Sequence, residues 1–143
     1  MIWKKTYSLD ELNEMSKNTL FEHLGMQFTK IGEDYLEAEM PVDHRTKQPA
    51  GLLHGGASVA LAETLGSVAS VMCIEDLSKE TAVGVEINAN HLRPATKGIV
   101  TGKVFPVKVG RRLHVWEIKI YDEREKQICV SRITIAIVGR GIL

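Results

Sequence analysis

Residues 55–74 read Gly55-Gly56-Ala57-Ser58-Val59-Ala60-Leu61-Ala62-Glu63-Thr64-Leu65-Gly66-Ser67-Val68-Ala69-Ser70-Val71-Met72-Cys73-Ile74, and Glu63 is the only charged residue among them. No proline interrupts the run, and its alanines and leucines favour a helix. The length would suit a membrane span. The run is rich in Gly, Ala, Ser and Thr, however, and an acid at its middle would need an intramembrane partner that no second span supplies. It is therefore expected to be a buried helix of a soluble protein. A helix that is apolar on every side must be covered on every side. Either the rest of the chain wraps around it, or a second copy covers what remains. Glu63 becomes a carboxylate in a buried setting, where an unpaired charge is costly.

Working outward, the periodicity changes. Ser8-Leu9-Asp10-Glu11 has the spacing of a capping box, and Leu9, Leu12 and Met15 share a helical face, predicting a short amphipathic helix to about residue 18. Gly32-Glu33-Asp34 separates two strand-like runs at 26–31 and 35–40. In the second, Leu36, Ala38 and Met40 alternate with Tyr35, Glu37 and Glu39; Pro41 ends it, and 43–53 reads as a polar loop. After the long helix, 82–92 alternates with Val83, Val85, Ile87 and Ala89 on one face, and β-branched runs follow at 99–107, 113–121 and 128–138. The connections Val109-Gly110-Arg111-Arg112 and 122–126 are short enough for hairpins, which makes these strands antiparallel. The expected fold class is α+β, with a strongly curved antiparallel sheet wrapped around one long central helix in a single domain over residues 1–143.

Eighteen Lys and Arg balance eighteen Asp and Glu, and no basic block occurs. That argues against a nucleic-acid partner, whose binding rests on phosphate neutralisation. Two cysteines, Cys73 and Cys129, lie far apart without metal-ligand spacing, so neither a zinc motif nor a disulfide framework is expected and a reducing cytoplasm is the default. The start, Met1-Ile2-Trp3-Lys4-Lys5-Thr6, lacks the apolar core of a signal peptide.

The candidate chemistry gathers around the long helix. His54-Gly55-Gly56 opens it, and the first N–H groups of a helix have no intrahelical partner, so this terminus can hold a phosphate or a developing oxyanion. The glycines serve a tight turn equally well. Glu63 fits a catalytic carboxylate or a structural, paired one. Ser67, one turn on, can assist it or simply pack. Gly55 and Glu63 are eight residues apart, about 12 Å along one helix axis, too far to act on one bond within a chain. Two antiparallel helices across a two-fold axis would bring Gly55 of one copy to Glu63 of the other, giving two sites built from both chains. Gln48 and His54 lie on the approach loop as donors to a carbonyl. His91 shares the apolar face of its strand, while Asn88 and Asn90 point the other way. Arg93, Arg111 and Arg112 at strand ends suit solvent or a nucleotide phosphate. His23, His44 and His114 carry no functional signal.

Pro41-Val42-Asp43, Arg45-Thr46, Gln48-Pro49, Gly51-Leu52-Leu53-His54-Gly55-Gly56-Ala57-Ser58, Ala62-Glu63 and Gly66-Ser67 resemble the hotdog-fold thioesterases. Within them, the chain is similar to the PaaI-type subgroup that includes bacterial 1,4-dihydroxy-2-naphthoyl-CoA hydrolase. Met1-Ile2-Trp3-Lys4, Gly84-Val85-Glu86-Ile87-Asn88-Ala89-Asn90-His91 and Val109-Gly110-Arg111 extend the match over essentially the whole chain.

The resemblance implies a hotdog fold, assembly as a dimer or a dimer of dimers, and hydrolysis of an aromatic acyl-CoA, 1,4-dihydroxy-2-naphthoyl-CoA of menaquinone biosynthesis foremost. It implies Glu63 as nucleophile or general base, Gly55 N–H as oxyanion donor beside His54, Gln48 positioning thioester or water, and Ser67 assisting Glu63. Val68, Gly84, His91, Arg93, Arg111 and Arg112 are implied to meet the substrate, with the three arginines toward the coenzyme A phosphates. No metal and no cofactor beyond the substrate's own coenzyme A is expected. Ala50 stands where a bulkier aromatic is common, and the 74–81 connection is slightly long; both alter the acyl-pocket rim. The alternatives are a proofreading thioesterase for aryl carrier proteins in siderophore synthesis, a hydratase on the same fold, and a non-catalytic acyl-CoA-binding protein.

Overall fold

The computed structural model describes residues 1–142. Helix α1 (Leu9–Met15) starts at the capping box: Ser8 Oγ accepts the Glu11 N–H at 3.1 Å, and Glu11 Oε2 accepts the Ser8 N–H at 2.7 Å. It ends short of residue 18 because the chain leaves the helical region, and Asn18 takes a left-handed φ of 59°. A one-turn helix, α2 (Leu20–His23), follows without any periodic signal in the sequence. It buries Phe21 against Phe28 with ring centroids 4.8 Å apart.

The strands are β1 (Gln27–Ile31), β2 (Leu36–Pro41), β3 (Glu80–His91), β4 (Ile99–Val109), β5 (Leu113–Tyr121) and β6 (Gln127–Gly139). They form one antiparallel sheet in the order β1-β2-β4-β5-β6-β3. The two expected hairpins, β4–β5 and β5–β6, are present. Between β2 and β4 the chain inserts a loop, helix α3 (Gly55–Met72) and β3, which returns to the far edge beside β6. The curved sheet and the single long helix across it are the architecture the sequence predicts.

Helix α3 buries Ser58, Leu61, Ala62, Leu65, Gly66, Ala69, Ser70 and Met72, a stripe at three-to-four spacing. This face packs on the sheet, in which Ile118, Ile120, Ile133, Ile135 and Val104 are wholly buried. The approach is close: a Cβ on Gly66 would lie 2.5 Å from Ile133 Cγ2. Further along, Ser70 Oγ accepts the Trp116 indole N–H at 2.7 Å and sits 3.0 Å from His114 Nδ1, tying the helix to β5 through a buried polar link. The expectation of cover on all sides is not met within one chain. Gly56 and Glu63 are exposed, and Val59, Ala60, Ser67 and Val71 are half-buried, because a sheet on one side can cover only one face.

Strand β3 departs from strict alternation. Gly84 pairs with Ile135 but Glu86 pairs with Thr134, leaving Val85 as the extra residue of a bulge. Opposed residues in an antiparallel pair share a face, so Ala82 and Gly84 face inward before the bulge and Ile87, Ala89 and His91 after it. Val83 and Val85 therefore do not share the inner face with Ile87 and Ala89. A second bulge, at Val107, follows Pro106, which cannot donate to the ladder. No helix among the described residues is long and apolar enough to cross a membrane.

Candidate active site

The loop before α3 is tied down at several points. Asp43 and Arg45 pair at 2.6 Å, and this hydrogen-bonded guanidinium holds the Asp43 carboxyl at about 2. Thr46 Oγ1 donates to the Pro41 carbonyl at 2.7 Å, His54 N–H to the Thr46 carbonyl at 2.8 Å, and Leu53 N–H to the Ala95 carbonyl at 2.8 Å. Gln48 sits within this frame, and its side-chain carbonyl accepts the Ala50 N–H, which turns the amide NH₂ outward as the group left to donate.

His54 is the N-cap of α3. Its Nδ1 accepts the Gly56 N–H at 2.8 Å, so the neutral ring carries its proton on Nε2. The His54 carbonyl takes the N–H groups of Ala57 and Ser58 at 3.0 and 3.3 Å. Of the four N–H groups that a helix start leaves unpaired, three are thus used within the chain. Among the described residues, that of Gly55 has no acceptor. His91 reaches the same point from β3: a Cβ on Gly55 would lie 2.7 Å from His91 Nε2. Gln48, Gly55, Ser58, His91 and Arg93 line a cavity of about 340 Å³ together with apolar residues that include Leu53 and Ile128. The structure thus brings Gln48, His54, Gly55, His91 and Arg93 together.

Glu63 stands apart. It is exposed on the uncovered stripe of α3, not buried as the sequence suggested. It reaches toward Gly84 on β3, where a Cβ would lie 3.0 Å from Glu63 Oε1. Ser67 is half-buried one turn further on, and Val68 packs against the core. Within one chain the geometry therefore gives two half-sites: a donor group at the helix start, and a carboxylate with Gly84 and Ser67 about 12 Å along the axis.

The arginines are also divided. Arg93 belongs to the cavity at the helix start, whereas Arg111 lines a separate cavity of about 620 Å³ at the helix end, together with Lys4, Cys73, Asp76, Lys79 and His114. Arg112 is exposed in the same β4–β5 turn. One phosphate patch built from all three does not form in a single chain, because β3 ends beside the start of α3 while that turn lies beside its end. His114, which carried no signal in the sequence, proves to be a buried structural residue. Burial pushes its pKa down, against an opposing hydrogen bond to the Gly110 backbone. Burial likewise pushes the Cys73 thiol up to about 11 and raises that of Cys129, so neither is a thiolate nucleophile at neutral pH.

A long helix held against one curved antiparallel sheet of six strands is the hotdog fold. The chain belongs to the thioesterase superfamily, whose sequence model matches residues 50–129. It is similar to the proofreading thioesterase EntH of Cronobacter turicensis, 51% identical over 139 residues, covering 97% of this chain and 100% of that one. A thioesterase of Haemophilus influenzae has a solved structure that superposes with a TM-score of 0.94 at 51% identity, over 97% of this chain and 96% of that one. A thioesterase of Staphylococcus aureus, 41% identical, superposes with a TM-score of 0.81 over 84% of this chain and 98% of that one. It has been solved as a Glu-to-Ala variant and separately as a Gln-to-Ala variant, the two positions fifteen residues apart.

Proposed function

We propose that this thioesterase hydrolyses an aromatic acyl thioester at a site shared between two copies of the chain. The observation that carries the reading is the single free N–H of Gly55 at the mouth of a largely apolar cavity. As the thioester carbonyl becomes tetrahedral, its oxygen gains charge, and a fixed backbone donor there stabilises the transition state more than the substrate. The Gln48 amide, which lines the same cavity, and the His54 Nε2–H would serve as further donors. In an isologous dimer, Glu63 of the second copy reaches the carbonyl carbon, supported by Ser67. It either attacks directly, forming an anhydride that water then cleaves, or takes a proton from the attacking water. In the first case the arm leaves as a thiolate that takes its proton from water; in the second it takes the proton that Glu63 removed from the attacking water. Gln48 and Glu63 are fifteen residues apart, the separation of the two positions varied in the Staphylococcus aureus relative, which supports assigning both to the site.

The sequence motifs favour 1,4-dihydroxy-2-naphthoyl-CoA as substrate, with Val68 beside the acyl group and His91 and Arg93 toward the coenzyme A arm. In the paired arrangement, Arg111 and Arg112 would approach that arm from the second copy. A second reading, favoured by the relative named as a proofreading thioesterase, has the same aromatic acyl group arrive on an aryl carrier protein. The test is thiol release from a panel of aromatic and aliphatic acyl-CoAs and from the same acyl groups on a carrier protein, with Glu63→Gln alongside. Fastest release from the naphthoyl-CoA supports the first reading, and preference for the carrier-bound thioester the second. Full activity in Glu63→Gln would remove Glu63 from the chemistry.

A further inference from the structure

Strand β3 is irregular at the point where it passes Glu63. Regular alternation through 83–89 would carry the Val85 side chain inward, toward α3. The bulge prevents this. Gly84 faces inward opposite the buried Ile135, Ile87 faces inward opposite the buried Ile133, and Val85 is expelled to the surface with 62% of its area exposed. The residue thus delivered to the inner face is the one that has no side chain. What a side chain there would meet is specific: within 4 Å of an ideal Cβ on Gly84, the contact is Glu63 Oε1 at 3.0 Å, inside the 3.4 Å at which ordinary contact begins. The Gly84 backbone is not in the left-handed region, so the position does not need glycine for its conformation. It needs glycine for the space.

We propose that the Val85 bulge and Gly84 form a positioning device that clears the ground on which the Glu63 carboxylate stands. Bulges re-aim side chains next to active sites, and here the re-aiming removes a valine from the carboxylate and substitutes an absence. Gly84 is a positioning residue, acting through Glu63 rather than on the substrate. The inference rests on the reading of Glu63 as nucleophile or base. A Cβ at Gly84 meets only the end of a flexible side chain, so the fold can absorb it while the carboxylate moves by a few tenths of an ångström. Misplacing a reacting group by 1 Å can cost about a hundredfold, so this smaller shift is expected to cost about tenfold.

The experiment is a double-mutant cycle between Gly84→Ala and Glu63→Gln, read by kcat, KM and thermal unfolding on the assembled enzyme. Gly84→Ala is expected to lower kcat about tenfold, leave KM within about twofold, and unfold near the wild-type temperature. Added to Glu63→Gln, it is expected to have no further effect on the residual rate, because a residue acting only through Glu63 has nothing left to position. Wild-type kcat in Gly84→Ala would overturn the inference. So would a raised KM at unchanged kcat, which would make Gly84 a substrate contact, or an equal loss in the Glu63→Gln background. If Gly84→Ala does not fold, Gly84→Ala/Glu63→Asp, with the carboxylate withdrawn by one methylene, is expected to fold; failure there also overturns it. Full activity of Glu63→Gln defeats the proposed function itself. An inactive Glu63→Gln beside a fully active Gly84→Ala defeats the positioning role alone.

Discussion

If each site takes its donors from one copy and its carboxylate from the other, two inactive variants must rescue each other. Glu63→Ala removes the carboxylate. His54→Ala removes both the Nε2–H donor and the acceptor that holds the Gly56 N–H at 2.8 Å. The second change should cost about 1 kcal/mol as a lost N-cap and about a hundredfold in kcat as a lost donor. In a hybrid dimer, His54 of the Glu63→Ala chain faces Glu63 of the His54→Ala chain, so one site is wild type and the other lacks both groups. A purified hybrid should therefore show about half the wild-type rate, and an unsorted equal mixture about a quarter, since hybrids form about half of randomly assorted dimers. The structural basis is the separation of Gly55 and Glu63, about 12 Å along a rigid helix, which one thioester carbonyl cannot bridge. Differently tagged chains, co-expressed and purified through both tags, are assayed for thiol release against each parent. A dual-tagged hybrid no more active than its parents would refute the shared site and return the chemistry to a single chain.

Two further outcomes concern the link between α3 and β5. Ser70→Ala leaves the Trp116 N–H and His114 Nδ1 without their partner in a buried setting, which should cost about 1–3 kcal/mol; an unchanged urea midpoint would contradict the link. The folded pKa of His114 is lowered by burial, so the unfolded chain takes up the proton first. Stability is then complete above the unfolded histidine value of about 6.5 and falls as the pH drops from there through the folded value, at up to about 1.4 kcal/mol per pH unit. Urea midpoints between pH 7.5 and pH 5 should decline less steeply in His114→Asn than in the wild type, and identical slopes would remove His114 as the cause.

The elements with a long, unbroken period were legible in the sequence: the apolar run became α3, the β-branched runs became β4, β5 and β6, and the capping box opened α1. What escaped was short or out of phase. Helix α2 is four residues long and carries no periodicity. The Val85 bulge is invisible because Val83, Val85, Ile87 and Ala89 alternate as a regular strand does, and a bulge changes the phase without changing the residue types. The start of α3 was legible at His54 and Gly55, where glycines meet a helix start. His114 was not, since a buried histidine held by a serine and the Gly110 backbone leaves no pattern in the chain.

The exposure of Glu63 follows from how little of α3 one chain covers. Composition alone says that α3 is too apolar to face water on any side, yet the chain covers one face and leaves the other open. The open face is not like the covered one: it carries Gly56, Val59, Ala60, Glu63 and Ser67, small side chains around one acid. Small residues permit close approach of another backbone, and the acid gives that approach a chemical purpose. Under the proposed pairing, the carboxylate exposed in a single chain would keep its hydration until a second helix and a substrate arrive. Its desolvation would then occur with the thioester carbonyl and the free Gly55 N–H beside it, where a charge with few water partners is most reactive. The face left open in one copy is thus the face on which assembly and catalysis would be the same event.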